Sequence, residues 1–115
     1  MSAVAAAAAV FRRRGYAATS IDHLVEATGM HRGSLYGVFG SKHGLFLRVL
    51  DAAASSIDPA DRLDLMLVAL LELAPVDPRV RERLGKLLSE NGITEEQLGG
   101  RLLIRAGLRN EGGPA

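Results

Sequence analysis

Residues 31–42 read HRGSLYGVFGSK. Gly33, Gly37 and Gly40 all fall in this stretch, and each glycine inside a helix costs about 1 kcal/mol relative to alanine. Leu35, Val38 and Phe39 are nevertheless spaced as a short apolar helical face. The segment is either a loop or a helix whose outer surface is stripped so that something can approach its backbone. Its flanks decide between the two.

Upstream, MSAVAAAAAVFRRRG carries an apolar stripe of Val4, Ala7, Ala8 and Phe11 and stops at Gly15, which predicts a helix over 2–14. Thr19, followed three residues later by Asp22, reads as a capping box. It opens a second helix over 21–28 with Ile21, Leu24 and Val25 turned inward, closed by Gly29. Downstream, Ser41 is a good N-cap for a helix over 42–55, whose apolar face is Leu45, Phe46, Val49, Leu50 and Ala53. Residues 32–39 then form a third short helix, joined to the second by the tight turn TGMH. Two short helices joined in this way have the shape of a helix-turn-helix, in which the second helix enters the major groove and the first crosses the DNA backbone. The glycines now fit. Gly33 and Gly37 share a face with Ser34 and Tyr36, while Leu35, Val38 and Phe39 face the protein.

The stretch GYAATSIDHLVEATGMHRGSLYGVFGSKHGLF, residues 15–46, resembles the DNA-binding domain of the TetR family of bacterial transcriptional regulators. The match is carried by Gly15-Tyr16, Thr19-Ser20-Ile21, Ala27 to Gly29, Gly33, Leu35-Tyr36, Phe39, Lys42 and Leu45-Phe46. The resemblance implies an all-α protein that binds a palindromic operator in double-stranded DNA as a homodimer and usually represses. It further implies that Thr19 and Ser20 meet a phosphate through hydroxyl and amide donors. Arg32, Ser34 and Gly37 then face base edges, with Gly33 allowing close approach. Tyr36 hydrogen-bonds a phosphate, and Lys42 does so by charge. Two positions depart from the pattern. His31 stands where a Ser or Thr usually caps the recognition helix, which puts about 1 kcal/mol of cap energy in question. His43 stands where an acid is common.

The rest of the chain reads as three more helices. Asp58-Pro59 and Asp77-Pro78 are helix starts, and Thr94 with Gln97 is a capping box. The tail RNEGGPA is expected to fray. We therefore expect a helix-turn-helix domain over 1–47 and a small helical dimerisation part over 48–115, shorter than the family's and joined rigidly through the helix of 42–55. LELAPVDPRVRERL, residues 71–84, still resembles a C-terminal segment of family members. The C-terminal part has too few residues to bury the apolar surface of Leu65 to Leu73 and Leu84 to Leu88 within one chain. The resemblance implies pairing through the last two helices as a four-helix bundle, with Leu87, Leu88, Leu98, Leu102 and Leu103 as the expected dimer contacts. An enclosed effector cavity is not expected, because three tightly packed helices leave little room for one, and Glu72 is the only polar residue between Leu65 and Ala74 to orient a ligand; at most a shallow apolar cleft would form, one that a dimer partner could complete, which argues against a small-molecule effector.

The charge supports a two-ended molecule. Residues 1–48 balance to +4 and residues 49–115 to −3, which suits nucleic acid at one end only. There is no cysteine, so no disulfide framework is present and an intracellular, cytoplasmic home is the simplest reading. The N-terminal basic residues follow the apolar run, the wrong order for a signal peptide, and no apolar stretch is long enough to span a membrane. No cofactor is implied. His23, His31 and His43 lack the spacing of a helical metal site. Asp61, Asp64, Glu95 and Glu96 read as cap and surface acids, and no nucleophile–base pair points to an enzyme. Arg12 to Arg14 read equally as a phosphate patch or a solvated helix end, and Tyr36 could instead be a half-buried packing ring. The alternative function is an interaction module that keeps the helix-turn-helix but pairs with another protein and senses no ligand.

Overall fold

The computed structural model describes residues 2–110 and is all-α over that span. The expected fraying of the tail falls partly on residues 111–115, outside the described residues. The helices are α1 (Ala3–Arg14), α2 (Ile21–Thr28), α3 (Arg32–Phe39), α4 (Lys42–Ala54), α5 (Pro59–Glu72), α6 (Pro78–Glu90) and α7 (Glu95–Arg105).

Each helix but α3 begins where a side chain can satisfy its first free N–H groups. Ser2, Ser41, Asp58 and Asp77 accept from backbone amides at the starts of α1, α4, α5 and α6. Thr94 and Gln97 form the expected capping box of α7. At α2 the expectation needs correcting. The cap is Ser20, not Thr19, and its box partner is His23, whose Nδ1 accepts from the Ser20 amide at 3.0 Å. Thr19 is instead fully buried, its hydroxyl donating to the Gly15 carbonyl at 2.6 Å.

α1 and α4 bracket the helix-turn-helix, and the core runs between them. Phe11 and Phe46 meet edge to face with centroids 4.9 Å apart, and Tyr16 packs on Phe46 at 5.0 Å. Such pairs add about 0.5–1.5 kcal/mol each beyond their buried area. The same core continues without a break into Leu63, Leu65, Met66, Val68 and Ala69 of α5 and on to Val80, Leu84 and Ile93. The expectation that Leu65 to Leu73 could not be buried within one chain is therefore wrong. α5 lies against both α1 and α4, and only Leu71 along that stretch leaves a large apolar side chain in solvent.

Asp64 is the second correction. It reads as a surface acid but is buried, with 4% of its side chain exposed. Arg101 donates to it through Nε at 2.6 Å and Nη2 at 3.1 Å, and Arg105 reaches it at 3.1 Å. α7 has no fully buried residue, so this buried carboxylate is the main anchor of the last helix. Arg105 also donates to the Arg12 carbonyl at 3.3 Å, which ties α7 to α1. The proposed dimer leucines divide. Leu87, Leu88 and Leu98 are half-buried against the chain's own core, whereas Leu102 and Leu103 are exposed.

The clefts are open to solvent. One of them, about 460 Å³, is a groove between α5 and α7. Arg62, Glu96, Gln97, Arg101 and Arg109 line it beside Leu63 and Ile104.

Candidate nucleic-acid interface

α2 and α3 are joined by a turn in which Gly29 takes φ 72°, a left-handed conformation that costs glycine little. The Thr28 hydroxyl donates to the Leu24 carbonyl and accepts from Met30 N–H, so the turn is tied on both sides. α3 is held to the protein through Leu35, which is fully buried, and Phe39, which is half-buried. Val38 does not join them, contrary to its sequence spacing. It is 61% exposed. A helix of only eight residues has room for one deep anchor, and Leu35 occupies it.

The result is an outward face made of Arg32, Gly33, Ser34, Tyr36, Gly37 and Val38, all exposed. A Cβ added at Gly33 or Gly37 would meet nothing within 4 Å, and neither has positive φ. Nothing in the chain itself therefore requires glycine at these sites. Gly44 is the opposite case, and its sequence context gives no hint of it. A Cβ there would collide with the Phe39 carbonyl oxygen, so the α3–α4 corner closes only because the residue is glycine. His31 makes no side-chain cap bond, as its identity suggests.

Arg32 forms a surface ion pair with Asp22 of α2. Its side chain is 55% exposed, and exposed pairs contribute little, so the guanidinium can exchange partners at small cost. Ser20 is exposed at the first turn of α2. Thr19 is not placed as expected, because its buried hydroxyl is already committed to Gly15. Lys42 is also only partly what its position implies. Its ammonium donates to the carbonyls of Tyr16 and Thr19, both at 3.1 Å, and sits 4.3 Å from the Tyr16 ring centroid. Two of its three protons are thereby committed to the turn. Arg12 pairs with Asp61, whereas Arg13 and Arg14 remain exposed.

Tyr16 is the hub beneath this surface. Burial raises its phenol above the ordinary value, with Asp77 adding to the effect. Asp77 accepts from the Val80 and Arg79 amides and lies 3.3 Å from His43 Nε2. Its carboxyl is held below the ordinary range, first by the Val80 amide, with desolvation opposing and His43 and Arg79 adding to the lowering.

Residues 3–49, which hold all of these α2–α3 elements, match the family model described as bacterial regulatory proteins, tetR family. Residues 3–49 are thus similar to that family. Among curated relatives, the HTH-type transcriptional repressor BdcR of Escherichia coli K12 is 43% identical over 49 residues, which is 43% of this chain and 25% of BdcR. The repressor ComR of the same organism is 52% identical over 42 residues, covering 36% of this chain and 20% of ComR. The chain thus spans about a quarter or less of the length of these relatives. The crystal structure of the TetR family regulator PfmR from Thermus thermophilus aligns over 95% of this chain and 74% of its own, with a TM-score of 0.54 at 23% identity. That likeness establishes a shared fold. Because the alignment covers 95% of this chain, the likeness in fold takes in helices beyond residue 49 as well.

Proposed function

We propose that this chain is a sequence-specific DNA-binding transcriptional repressor that acts in the cytoplasm as a homodimer on a palindromic operator. The observation that carries the reading is the face of α3. Its glycines have no internal reason to be glycine, and they stand opposite a fully buried Leu35 on a helix that the tetR-type helix-turn-helix presents to solvent. A helix with that outer surface can lie with its backbone close to base edges. Ser20, Tyr36 and the remaining Lys42 proton supply phosphate contacts around it. The repressor activity of BdcR and ComR supports the sign of regulation. No small-molecule effector is part of the proposal.

Selection of bound duplexes from a random DNA pool is the direct test, and an enriched palindrome is the expected result. Arg32→Ala should relax preference at one base pair and cost about 1–3 kcal/mol on the selected site if the contact is bidentate. An equal loss on selected and random duplexes would make Arg32 a phosphate contact. Lys42→Ala is a poor phosphate probe, because it also releases two carbonyls of the α1–α2 turn.

For the dimer, the exposed Leu102 and half-buried Leu98 of α7 remain the contacts to test. Replacing both with Glu should give monomers in sedimentation and abolish tight operator binding, since each subunit reads one half-site. A double variant that stays dimeric would move the interface elsewhere, with exposed Leu71 of α5 the next surface to change.

A further inference from the structure

We propose that Glu72 is a positioning residue for DNA binding: from the end of α5 it fixes the α1–α2 turn, and through that turn the start of α2. The proposal rests on the DNA-binding reading above. α1 stops at Gly15, where φ is 83°, and the chain must then present two backbone donors, Tyr16 N–H and Ala17 N–H, with no helix partner. Glu72 accepts both, Oε2 from Tyr16 at 2.8 Å and Oε1 from Ala17 at 2.9 Å. Each carboxylate oxygen takes one amide, which fixes the turn in orientation as well as distance. Gly15 supplies the positive φ, and a Cβ there would come to 2.5 Å from Glu72 Oε2 and push the carboxylate off the Tyr16 amide.

The carbonyl side of the same turn is held from within the tetR domain. Lys42 takes the carbonyls of Tyr16 and Thr19, and Thr19 closes back on Gly15. Ser20, the cap of α2 and one of the phosphate-facing residues, follows immediately. The matched domain, residues 3–49, therefore contains both donors of this turn but not their acceptor. The acceptor comes from a helix outside it. The exposed pairs Arg32–Asp22 and Arg83–Asp51 join side chain to side chain and leave the main chain where it was. Glu72 joins a side chain to the main chain and so decides where the turn sits. Without it, the two amides turn to water and the turn samples other conformations. Apparent affinity then falls by the fraction of molecules that keep the competent one.

The test uses the full chain carrying Glu72→Ala or Glu72→Gln, with three measurements: amide exchange at Tyr16 and Ala17 by NMR, affinity for the wild-type-selected duplex and for random duplex, and thermal melting. Faster exchange at both amides and a loss of about tenfold on both duplexes, about 1.4 kcal/mol, is the expected result. The sign is diagnostic. Removing a negative charge from a DNA-binding protein should by electrostatics alone tighten binding, whereas the proposal requires weakening. Glu72→Gln, which keeps one acceptor oxygen, should fall between wild type and Glu72→Ala, and it decides the matter if the alanine variant does not fold. Wild-type or tighter affinity in the variants overturns the proposal, as does unchanged exchange at the two amides. If wild-type protein selects no duplex, the DNA-binding reading falls and this inference with it, while the exchange data still report whether Glu72 holds the turn.

Discussion

Gly37→Leu should leave the protein at least as stable as wild type and reduce its binding of a selected operator to the level of random DNA, a fall of about a thousandfold or more. Both halves of the expectation come from the same geometry. A Cβ at position 37 meets nothing within 4 Å, and φ there is ordinary for a helix. The substitution therefore strains nothing and recovers up to about 1 kcal/mol of helix propensity. The leucine side chain then stands on the outward face of α3, where it would hold the helix backbone away from the base edges. A thermal melt and a mobility-shift assay on one preparation decide the matter. A destabilised variant with unchanged DNA affinity would mean that glycine serves the fold, and it would remove the main support for the DNA-facing assignment of α3.

Asp64→Ala should be the most damaging single change to stability, costing about 3 kcal/mol and lowering Tm by roughly 10 °C or more. The carboxylate is buried and takes hydrogen bonds from Arg101 and an ion pair from Arg105, both of α7. Removing one partner of a buried ionic cluster is worse than removing all of it, because the opposite charges keep their desolvation cost. The companion variant carrying Asp64→Leu, Arg101→Leu and Arg105→Leu should therefore recover much of the loss. α7 has no fully buried residue of its own, so amide protection in α7 should fall before that in α1 or α4. Calorimetry with hydrogen exchange reads both. A shift of under about 2 °C for Asp64→Ala would show that the cluster contributes no more than an exposed pair.

Much of the scaffold was legible because local chemistry marks helix ends. Ser41, Asp58, Asp77 and Thr94 each stand where an N-cap must, and the bounds of α2 and α3 follow from Gly29, Gly40 and the residues around them. What was not legible depended on partners far along the chain. Asp64 in an apolar run looks like a solvated acid until Arg101, 37 residues on, is seen against it. Glu72 looks like the one polar break in a buried helix until the Tyr16 amide, 56 residues away, is found beneath it. Thr19 and Ser20 offer the same hydroxyl to the same helix start, and only the backbone course decides that the second caps and the first is buried. Val38 has the right spacing for the core, but on so short a helix spacing cannot say how wide the buried face is. The DNA-facing assignments rest on residue types and exposure together. For Arg32, Ser34, Tyr36 and Gly37 the two agree, and Thr19 is where they part.

The unbroken core along α4 has a consequence for what can be separated. The boundary that the sequence suggests, between Leu47 and Arg48, falls inside that helix, with Phe46 buried on one side and Val49 and Leu50 on the other. A fragment cut there would carry α3 but lose Val49 and Leu50 from the core and expose the α1 face that α5 covers. Such a piece is not a cassette that can be grafted onto a foreign partner and keep its shape. Recombination that exchanges DNA specificity in proteins built this way would have to carry α5 along with the head, or confine itself to the few outward residues of α3.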